Sequence, residues 1–270
     1  MKNKLVSKLL VLAAAAVMVF SFAACDSKND ADSATNAQQA EDAVQAEPNL
    51  DALEGRYVNL FDAFSEEKYN DLWADALLKY CSVPADKEAA VKDAFLSMFK
   101  TEVYGEEAEK LAAEDPNYYS FNCAMTQGVV ELTIDGNTIS GVDKDGKELF
   151  SHEYTFYKTM KQDLGRMGEA YADQLSEEDW PIFDIYVCED ANDEFKYFAF
   201  AGDTPEETFH IEFRYGDDAD ALCKLVEGKY GYWMASGIYK DCDEEMMKNC
   251  INLFVSENAD NVKAIAQSIQ

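Results

Sequence analysis

Two histidines, His152 and His210, are the only imidazole groups in this chain of 270 residues. His210 lies in the stretch 196–216, KYFAFAGDTPEETFHIEFRYG, which predicts two strands joined by a polar turn. Asp203 lies across that turn, and Glu212 follows His210 at the two-residue spacing that places side chains on one face of a strand. We therefore expect one nitrogen and two carboxylates to converge at one end of a hairpin, as in small metal sites on β scaffolds.

The same hairpin also has a simpler interpretation, because a single histidine on the polar face of a strand is usually only solvated. The predicted second strand alternates an apolar trio with a polar trio: Phe209, Ile211, Phe213 and Thr208, His210, Glu212. The metal hypothesis requires the polar trio to face the interior and the apolar trio to be covered by an amphipathic helix, such as the one predicted before Phe99 or the one predicted after Asp243. If the apolar trio fills the interior instead, we expect His210 to face solvent and the metal hypothesis to lose its geometry.

The first 25 residues have the features of an export signal. A positively charged start precedes an apolar run over 9–23, which is too short for a comfortable membrane span. The run closes on Phe22-Ala23-Ala24-Cys25, which resembles a bacterial lipobox, where the peptide is removed before the cysteine and the cysteine takes a lipid. We predict a signal peptide over 1–24 and lipidation of Cys25; the alternative is an ordinary secretory signal. Either places the mature chain outside the cytoplasm, and lipidation would anchor it to the bacterial cell membrane, facing outward.

Residues 26–48 carry almost no large apolar side chain and cannot bury enough surface to offset chain entropy. Together with Cys25 they are predicted to form a disordered tether over 25–48, followed by one folded domain over 49–270. The domain contains six cysteines: Cys81, Cys123, Cys188, Cys223, Cys242 and Cys250. Their even number permits disulfides in an exported protein, but none forms a CxxC pair and a domain of this size does not need them. The sequence leaves disulfides and free thiols open.

Acidic residues dominate the charge of the chain. There are 53 Asp and Glu against 23 Lys and Arg, which gives a formal net charge of −30. Such a chain repels nucleic acid and anionic membrane surfaces, so we expect no nucleic-acid partner and membrane contact through the lipid anchor only. The sequence has no Ser-His-Asp arrangement, no phosphate-binding loop and no histidine-rich cluster. We therefore expect that the protein is not an enzyme.

The periodicity of apolar residues separates helical from extended segments. Helical spacing predicts helices near 65–79, 86–98, 106–114 and 243–255. Alternating or apolar runs predict strands from Gly55 onward, within 196–216, and at 121–125, 129–134, 138–142, 148–157, 182–188 and 219–226. Short strands in meander order, with helices at the start and the end, predict a mainly β domain. Its sheet is expected to be an up-and-down antiparallel barrel or a strongly curved antiparallel sheet.

The order of several short segments resembles the ZinT family, also called YodA, and the ZinT-like C-terminal domain of AdcA-type zinc lipoproteins. The segments that carry the resemblance are Leu53-Glu54-Gly55-Arg56-Tyr57, Phe99-Lys100-Thr101-Glu102-Val103, Lys196-Tyr197-Phe198-Ala199-Phe200, Phe209-His210-Ile211, Gly231-Tyr232-Trp233-Met234 and Glu244-Glu245-Met246. The resemblance implies a calycin, lipocalin-like antiparallel β-barrel with flanking helices. It also implies binding of zinc or cadmium outside the cytoplasm and a metal ABC importer as a partner.

The departures from the family lie in its metal site. The family supplies three histidines, one after Phe-Ser-Asp and two in His-x-His. Here Asp203 follows Phe200-Ala201-Gly202, Thr208 takes the first position of His-x-His, and only His210 is kept. A site of His210, Asp203 and Glu212 would favour a harder divalent ion or hold zinc more weakly. We expect a lipid-anchored protein that binds zinc or another divalent cation and assists metal capture. The alternative is a calycin module with a degenerated site that binds a small apolar or peptide ligand or a protein partner.

Overall fold

The computed structural model describes residues 48–115, 118, 120–170 and 180–269. The predicted signal peptide, Cys25 and the predicted tether up to residue 47 lie outside the described residues. Within the described ranges, no helix is both long and apolar enough to cross a membrane.

Within these described ranges, nine strands form one sheet in which every neighbouring pair is antiparallel. The strands are β1 Gly55–Asn59, β2 Glu131–Asp135, β3 Thr138–Val142, β4 Glu148–Glu153, β5 Thr155–Lys161, β6 Ile182–Val187, β7 Tyr197–Phe200, β8 Ile211–Gly216 and β9 Ala235–Tyr239. Their spatial order is β4-β3-β2-β1-β9-β8-β7-β6-β5. Consecutive strands are therefore neighbours everywhere except at β4 and β5, and the last strand, β9, pairs back with β1, which is the order of an up-and-down barrel opened between β4 and β5.

The sheet must be strongly curled, because its two edge strands are consecutive in the chain. Only Tyr154 separates β4 from β5, and one extended residue spans about 3.3 Å, so the two edges meet at this corner. Across the curl, Phe150 of β4 and Phe198 of β7 pack with ring centroids 5.8 Å apart. Within the described sheet β4 and β5 do not pair, so the barrel remains open between them. The prediction of a mainly antiparallel β, calycin-like fold is confirmed.

Aromatic side chains fill the concave side of the curled sheet. Phe198 and Phe200 of β7 pack against Phe213 of β8 at 6.3 and 5.7 Å between centroids, and Tyr215 lies 5.2 Å from Phe198. All four rings are almost fully buried. The interior of the half-barrel is thus occupied by the rings of the chain itself.

Eight α-helices flank the sheet in the described chain. They are α1 Leu60–Phe64, α2 Asn70–Cys81, α3 Glu88–Leu96, α4 Glu106–Glu114, α5 Arg166–Ala170, α6 Ala219–Leu222, α7 Glu244–Glu257 and α8 Ala259–Ser268. The side chain of Asp243 caps α7 by accepting a hydrogen bond from the backbone N–H of Met246 at 2.8 Å. Phe254 of α7 packs against Phe61 and Phe99 with centroids 5.4 and 5.3 Å apart, so α7 is fixed by a second aromatic cluster.

Two strand predictions were wrong. Residues 121–125 contain only isolated bridges at Asn122, and the start of 219–226 forms the short helix α6, whose first N–H groups are bonded by the side chain of Asp218. The strand predicted over 148–157 is divided at Tyr154, and the sequence did not predict β9 or α8 as elements. The sequence left disulfides and free thiols open. All six cysteines of the described domain are unpaired, so they are free thiols in this structure.

Candidate metal centre

The loop between β7 and β8 is held in shape by its own threonines. The backbone N–H of Thr204 donates to Thr208 Oγ1 at 3.1 Å, and that hydroxyl donates to the carbonyl of Thr204 at 3.0 Å. Phe209 follows with φ of +67°, a left-handed conformation that a bulky residue adopts only under strain. β8 therefore begins at Ile211, and Phe209 and His210 belong to the end of the loop rather than to the strand.

This local structure decides which nitrogen of His210 is free. Nδ1 of His210 lies 2.8 Å from the carbonyl oxygen of Thr208. A carbonyl oxygen only accepts hydrogen bonds, so Nδ1 carries the proton in the neutral ring and Nε2 carries the lone pair. The unprotonated nitrogen is the one that faces the carboxylates.

The structure brings the three predicted donors together. His210 Nε2 lies 3.9 Å from Asp203 Oδ1 and 4.0 Å from Glu212 Oε1. The side chains of His210 and Asp203 are only 6% and 2% exposed, and that of Glu212 is 17% exposed. The convergence expected from the spacing in the sequence therefore exists, in a place that is largely closed to solvent.

Burial makes both carboxylates difficult to ionise. It raises the pKa of Asp203, and the neighbouring His210 charge opposes that rise. Burial also raises the pKa of Glu212 well above its ordinary value, and the charges of Asp203 and Glu257 raise it further. At neutral pH such a group of acids is most stable when it keeps a proton or binds a cation.

Arg214 lies on the same side of β8 as Glu212, but backbone carbonyls occupy its guanidinium. It donates to the carbonyl oxygens of Leu222 at 2.8 Å and Lys224 at 2.9 Å. Burial lowers its pKa to about 9. Its charge lowers the pKa of Glu212, but this is the smallest of the effects on that group, so Arg214 does not offset the rise caused by burial.

His210, Asp203 and Glu212 fit a divalent cation in one respect and depart from it in another. In favour of a fit, Asp203 Oδ2 is buried and has no hydrogen-bond partner in the described structure. Against it, two ligands of a tetrahedral zinc ion at about 2.0–2.1 Å are about 3.3 Å apart, whereas the donors here are separated by 3.9 and 4.0 Å. Consistently, the described residues contain no group of three His, Cys, Asp or Glu side chains that could hold a metal ion as it stands. An ion would have to draw these donors inward by about half an ångström.

The expected orientation of the hairpin needs a correction. Phe213 packs into the aromatic concave side, and Glu212 lies on the opposite side of the strand, yet His210 is buried rather than facing solvent. The inward orientation of the polar trio, which the metal hypothesis required, was therefore wrong. The expectation that His210 would then face solvent was also wrong, because helix α7 lies against the polar side of the hairpin. Phe209 and Glu206 of the loop line a cavity of about 370 Å³ together with Met246 and Asn249 of α7. Of the two helices that the sequence offered as cover, the one after Asp243 lies here, but on the polar side of the hairpin and not over the apolar trio.

His152 lies outside this group of donors. It is on β4, at one edge of the sheet, where it pairs with Ile139 and packs near the rings of Phe150 and Tyr154. Nothing in the sequence placed His152 near the other donors, and in the structure it lies beside the aromatic rings of Phe150 and Tyr154.

Sequence reasoning overlooked two side chains of α7 near the site. Cys250 is buried, and the charges of Asp203 and Glu257 both raise the pKa of its thiol, after the larger effects of burial and Cys242. Glu257 responds in turn to Asp203, which adds to the burial that raises the pKa of Glu257 to about 7. The available signal was the spacing of Cys250, Phe254 and Glu257, which places a carboxylate on an otherwise apolar helical stripe.

Comparison with solved structures gives six matching chains, and two of them show how low the similarity is. One is the zinc-bound ZinT-like domain of AdcA from Streptococcus pneumoniae, with a TM-score of 0.45 and 13% identity over 77% of this chain and 94% of that domain. The other is the zinc-bound full AdcA, with a TM-score of 0.44 and 12% identity; the match covers 82% of this chain but only 39% of AdcA. Both belong to the family that the sequence landmarks resemble. No protein-family model matches the chain, and no curated protein matches its sequence.

Proposed function

We propose that this protein binds a divalent cation between His210, Asp203 and Glu212, as an exported, lipid-anchored protein that assists metal capture. The observation that carries the proposal is the carboxylate of Asp203. It is 2% exposed, its Oδ2 has no hydrogen-bond partner in the described structure, and its Oδ1 faces the lone-pair nitrogen of His210. Thr208 and the backbone donate hydrogen bonds to this carboxylate, but a buried oxygen left without a partner is costly, and a bound cation removes that cost.

The three donors do not hydrogen-bond to one another, although their separations are also longer than those between the ligands of a bound zinc ion. Separations of 3.9 and 4.0 Å are too long for hydrogen bonds between an imidazole and a carboxylate. A small inward movement of the donors would place one nitrogen and two oxygens around an ion. The strained Phe209 and the bonded threonine turn hold His210 in the required orientation before the ion arrives.

The donor set determines which ion is expected. One imidazole and two carboxylates are harder than the three imidazoles of the family that the sequence resembles. The site therefore binds zinc more weakly than a three-histidine site does, and it accepts manganese as well. The resemblance implies a metal ABC importer as the partner that receives the ion, and the predicted lipid on Cys25 would keep the protein at the membrane where such an importer lies.

A thermal titration tests the proposal. Because an ion that binds only the folded state stabilises it, ZnCl₂ or MnCl₂ at 100 times the Kd is expected to raise Tm by about 5–10 °C. His210→Ala and Asp203→Ala should lose this rise, and the matched control His152→Ala, at the only other histidine, should keep it. Equal shifts in the wild type and all three variants would mean that ions act on the general acidic surface. The domain would then be better described as a module for a protein or peptide ligand.

A further inference from the structure

A second cavity, of about 230 Å³, shares no lining residue with the candidate metal centre. It is formed by the end of β1, the start of α1, the loop after α3 and the segment 121–125. Its walls include two asparagines, Asn59 and Asn122, and two phenylalanines, Phe61 and Phe99. An apolar wall with a few polar groups that point into one space is the usual construction of a small-molecule site.

Asn122 is held rigidly in the wall of this cavity. Its backbone N–H donates to the carbonyl of Tyr232 at 2.9 Å, and its own carbonyl accepts from the backbone N–H of Met234 at 3.0 Å. Its side-chain Oδ1 accepts from the backbone N–H of Ala124 at 2.9 Å. A backbone N–H can only donate, so this bond identifies the oxygen of the amide and leaves Nδ2 as its free end.

The free end of Asn122 is a hydrogen-bond donor without an acceptor. Asn122 is only 7% exposed, and its Nδ2 donates to no residue of the described structure. Nδ2 is nevertheless not among the unpaired polar atoms that are sealed from solvent in that structure, so it reaches the open space of the cavity. A donor in such a buried place is costly to leave unpaired, so an oxygen atom of a ligand would stabilise it.

Asn59 presents its amide group in the same way. Its Oδ1 accepts from the backbone N–H of Met125 at 2.8 Å, which again identifies the oxygen. Its Nδ2 makes one long hydrogen bond of 3.4 Å, to Asp62 Oδ2. Two amide N–H₂ groups of fixed orientation therefore line one cavity, and both require acceptors.

The charges around the cavity favour a neutral ligand over an anion. Lys100 Nζ lies 2.9 Å from Asp62 Oδ1, so its charge is already balanced. Glu102 adds a second carboxylate, which has no ion pair in the described structure. A hydroxyl group suits both kinds of wall, because it accepts from an amide N–H and donates to a carboxylate. The rings of Phe61 and Phe99, stacked with centroids 4.8 Å apart, add an apolar surface.

We propose that this cavity binds a neutral sugar ring. Its hydroxyl oxygens would accept hydrogen bonds from Nδ2 of Asn122 and Asn59, and a hydroxyl would donate to the carboxylate of Asp62. A sugar combines neighbouring hydroxyl groups with an apolar C–H face, which matches the amides and the phenylalanine rings of the walls. A carboxylate or phosphate would satisfy the amides but would be repelled by Asp62 and Glu102. This inference does not depend on the proposed metal binding.

Saturation-transfer NMR titrations of the purified protein, in the presence of a chelator, test the proposal. The neutral probes are glucose and galactose, and their anionic counterparts are glucuronate and galacturonate. We expect at least one neutral sugar to bind, and its uronate to bind at least about fivefold more weakly because of the added charge.

Variants of the two asparagines locate the site. Asn122→Asp keeps the oxygen that the N–H of Ala124 requires but replaces the free donor with an acceptor, so it should weaken sugar binding at least about tenfold. Asn192→Asp makes the same change at an exposed position between β6 and β7, and it should bind as the wild type does. Thermal unfolding without sugar checks the fold. If Asn122→Asp does not fold, Asn59→Asp, at a half-buried position, is expected to show the same loss.

Asp62→Asn distinguishes a neutral ligand from an anion. A neutral sugar should bind more weakly to it, because an amide oxygen accepts a hydroxyl less strongly than a carboxylate does, whereas an anion should bind more tightly. Three results would overturn the proposal: no binding of either neutral sugar at tens of millimolar, equal affinity in the wild type and the folded asparagine variants, or tighter binding of the uronates than of the neutral sugars.

Discussion

At the scale of single residues, the candidate site depends on polar atoms that other protein groups leave free to bind an ion. Asp203 Oδ2 has no partner in the described structure, and the carbonyl of Thr208 leaves His210 Nε2 as the unprotonated nitrogen. Arg214 differs, because its guanidinium donates to three backbone carbonyls, including that of Leu225 at 3.3 Å. The buried polar side chains of β8 and the preceding loop therefore combine a structural cation at Arg214 with donors at His210 and Glu212 that are open to an ion.

The structural role of Arg214 gives a prediction for stability. Arg214→Met would leave buried carbonyls without donors, and we expect it to lower the free energy of unfolding by about 3 kcal/mol or more. Arg56→Met is the matched control, because the side chain of Arg56 is 51% exposed and pairs with Glu131 at the surface. It should cost no more than about 1 kcal/mol. Urea unfolding of both variants is the measurement, and equal losses would show that Arg214 has no special role.

Several residues show what the sequence can and cannot predict. The proximity of Asp203, His210 and Glu212 was predictable, because turn chemistry and strand spacing are local. The orientation of His210 was not, since it depends on α7, more than thirty residues later in the chain. β9 was missed because its first three residues, Ala235, Ser236 and Gly237, are small and give no alternating apolar pattern. A Cβ on Gly237 would lie 3.2 Å from Tyr57 and 3.3 Å from Ile211, so close strand packing there requires a residue of low β propensity.

At the scale of elements, the contact between α7 and the β7–β8 hairpin concentrates acids. Segment 219–226 shows a related effect, because its apolar composition suggested a strand while its carbonyls are instead bound by the side chain of Arg214. In both places a charged side chain of one element acts on polar groups of another element: it donates hydrogen bonds to backbone carbonyls in one case, and it raises the pKa of nearby acids in the other. Such contacts are not visible in periodicity, which reports only on one element at a time.

The acids between these elements predict a pH dependence of stability in the metal-free protein. The pKa of Glu257 is raised from its ordinary value of 4.5 to about 7, so the folded chain holds this proton more tightly than the unfolded chain. The stabilisation is fully present below about pH 4.5 and is lost as the pH rises through about 7. For this one group the loss is on the order of 2–3 kcal/mol, and Asp203 and Glu212 change stability in the same direction.

Chemical unfolding in a chelator at pH 5.5 and 7.5 measures this dependence. The wild type should be less stable at pH 7.5, Glu257→Gln should reduce the difference, and Glu244→Gln should keep it. A wild-type protein that gains stability between these two values would contradict the raised pKa of the buried acids.

At the scale of the whole molecule, the fold is an open, curled antiparallel sheet whose interior is filled by its own aromatic rings. A ligand inside the half-barrel would compete with Phe198 and Phe213, both fully buried. The candidate metal centre lies instead on the other side of β8, between the hairpin and α7. The aromatic rings that stabilise the fold and the residues proposed to bind the ion therefore lie on opposite sides of β8.

Anchoring of the whole chain is a prediction from the sequence. The small residues before Cys25 predict that this cysteine becomes the lipidated N-terminus, so Cys25→Ser should accumulate as unprocessed precursor or appear in the soluble fraction. Cell fractionation with metabolic lipid labelling is the measurement, and Cys242→Ser, a change within the folded domain, is the control. Processing and membrane retention of Cys25→Ser at wild-type levels would show that the cysteine is not the anchor.

X-ray absorption spectroscopy of the protein loaded with one equivalent of zinc tests the central claim most directly. The proposed site predicts only nitrogen and oxygen ligands at about 2.0–2.2 Å, with the signal of one imidazole. That imidazole signal should disappear in His210→Ala and persist in His152→Ala. Sulfur at about 2.3 Å would place the ion on the buried cysteines, and a shell without imidazole would place it on surface acids. Either result would contradict a metal centre at His210, Asp203 and Glu212.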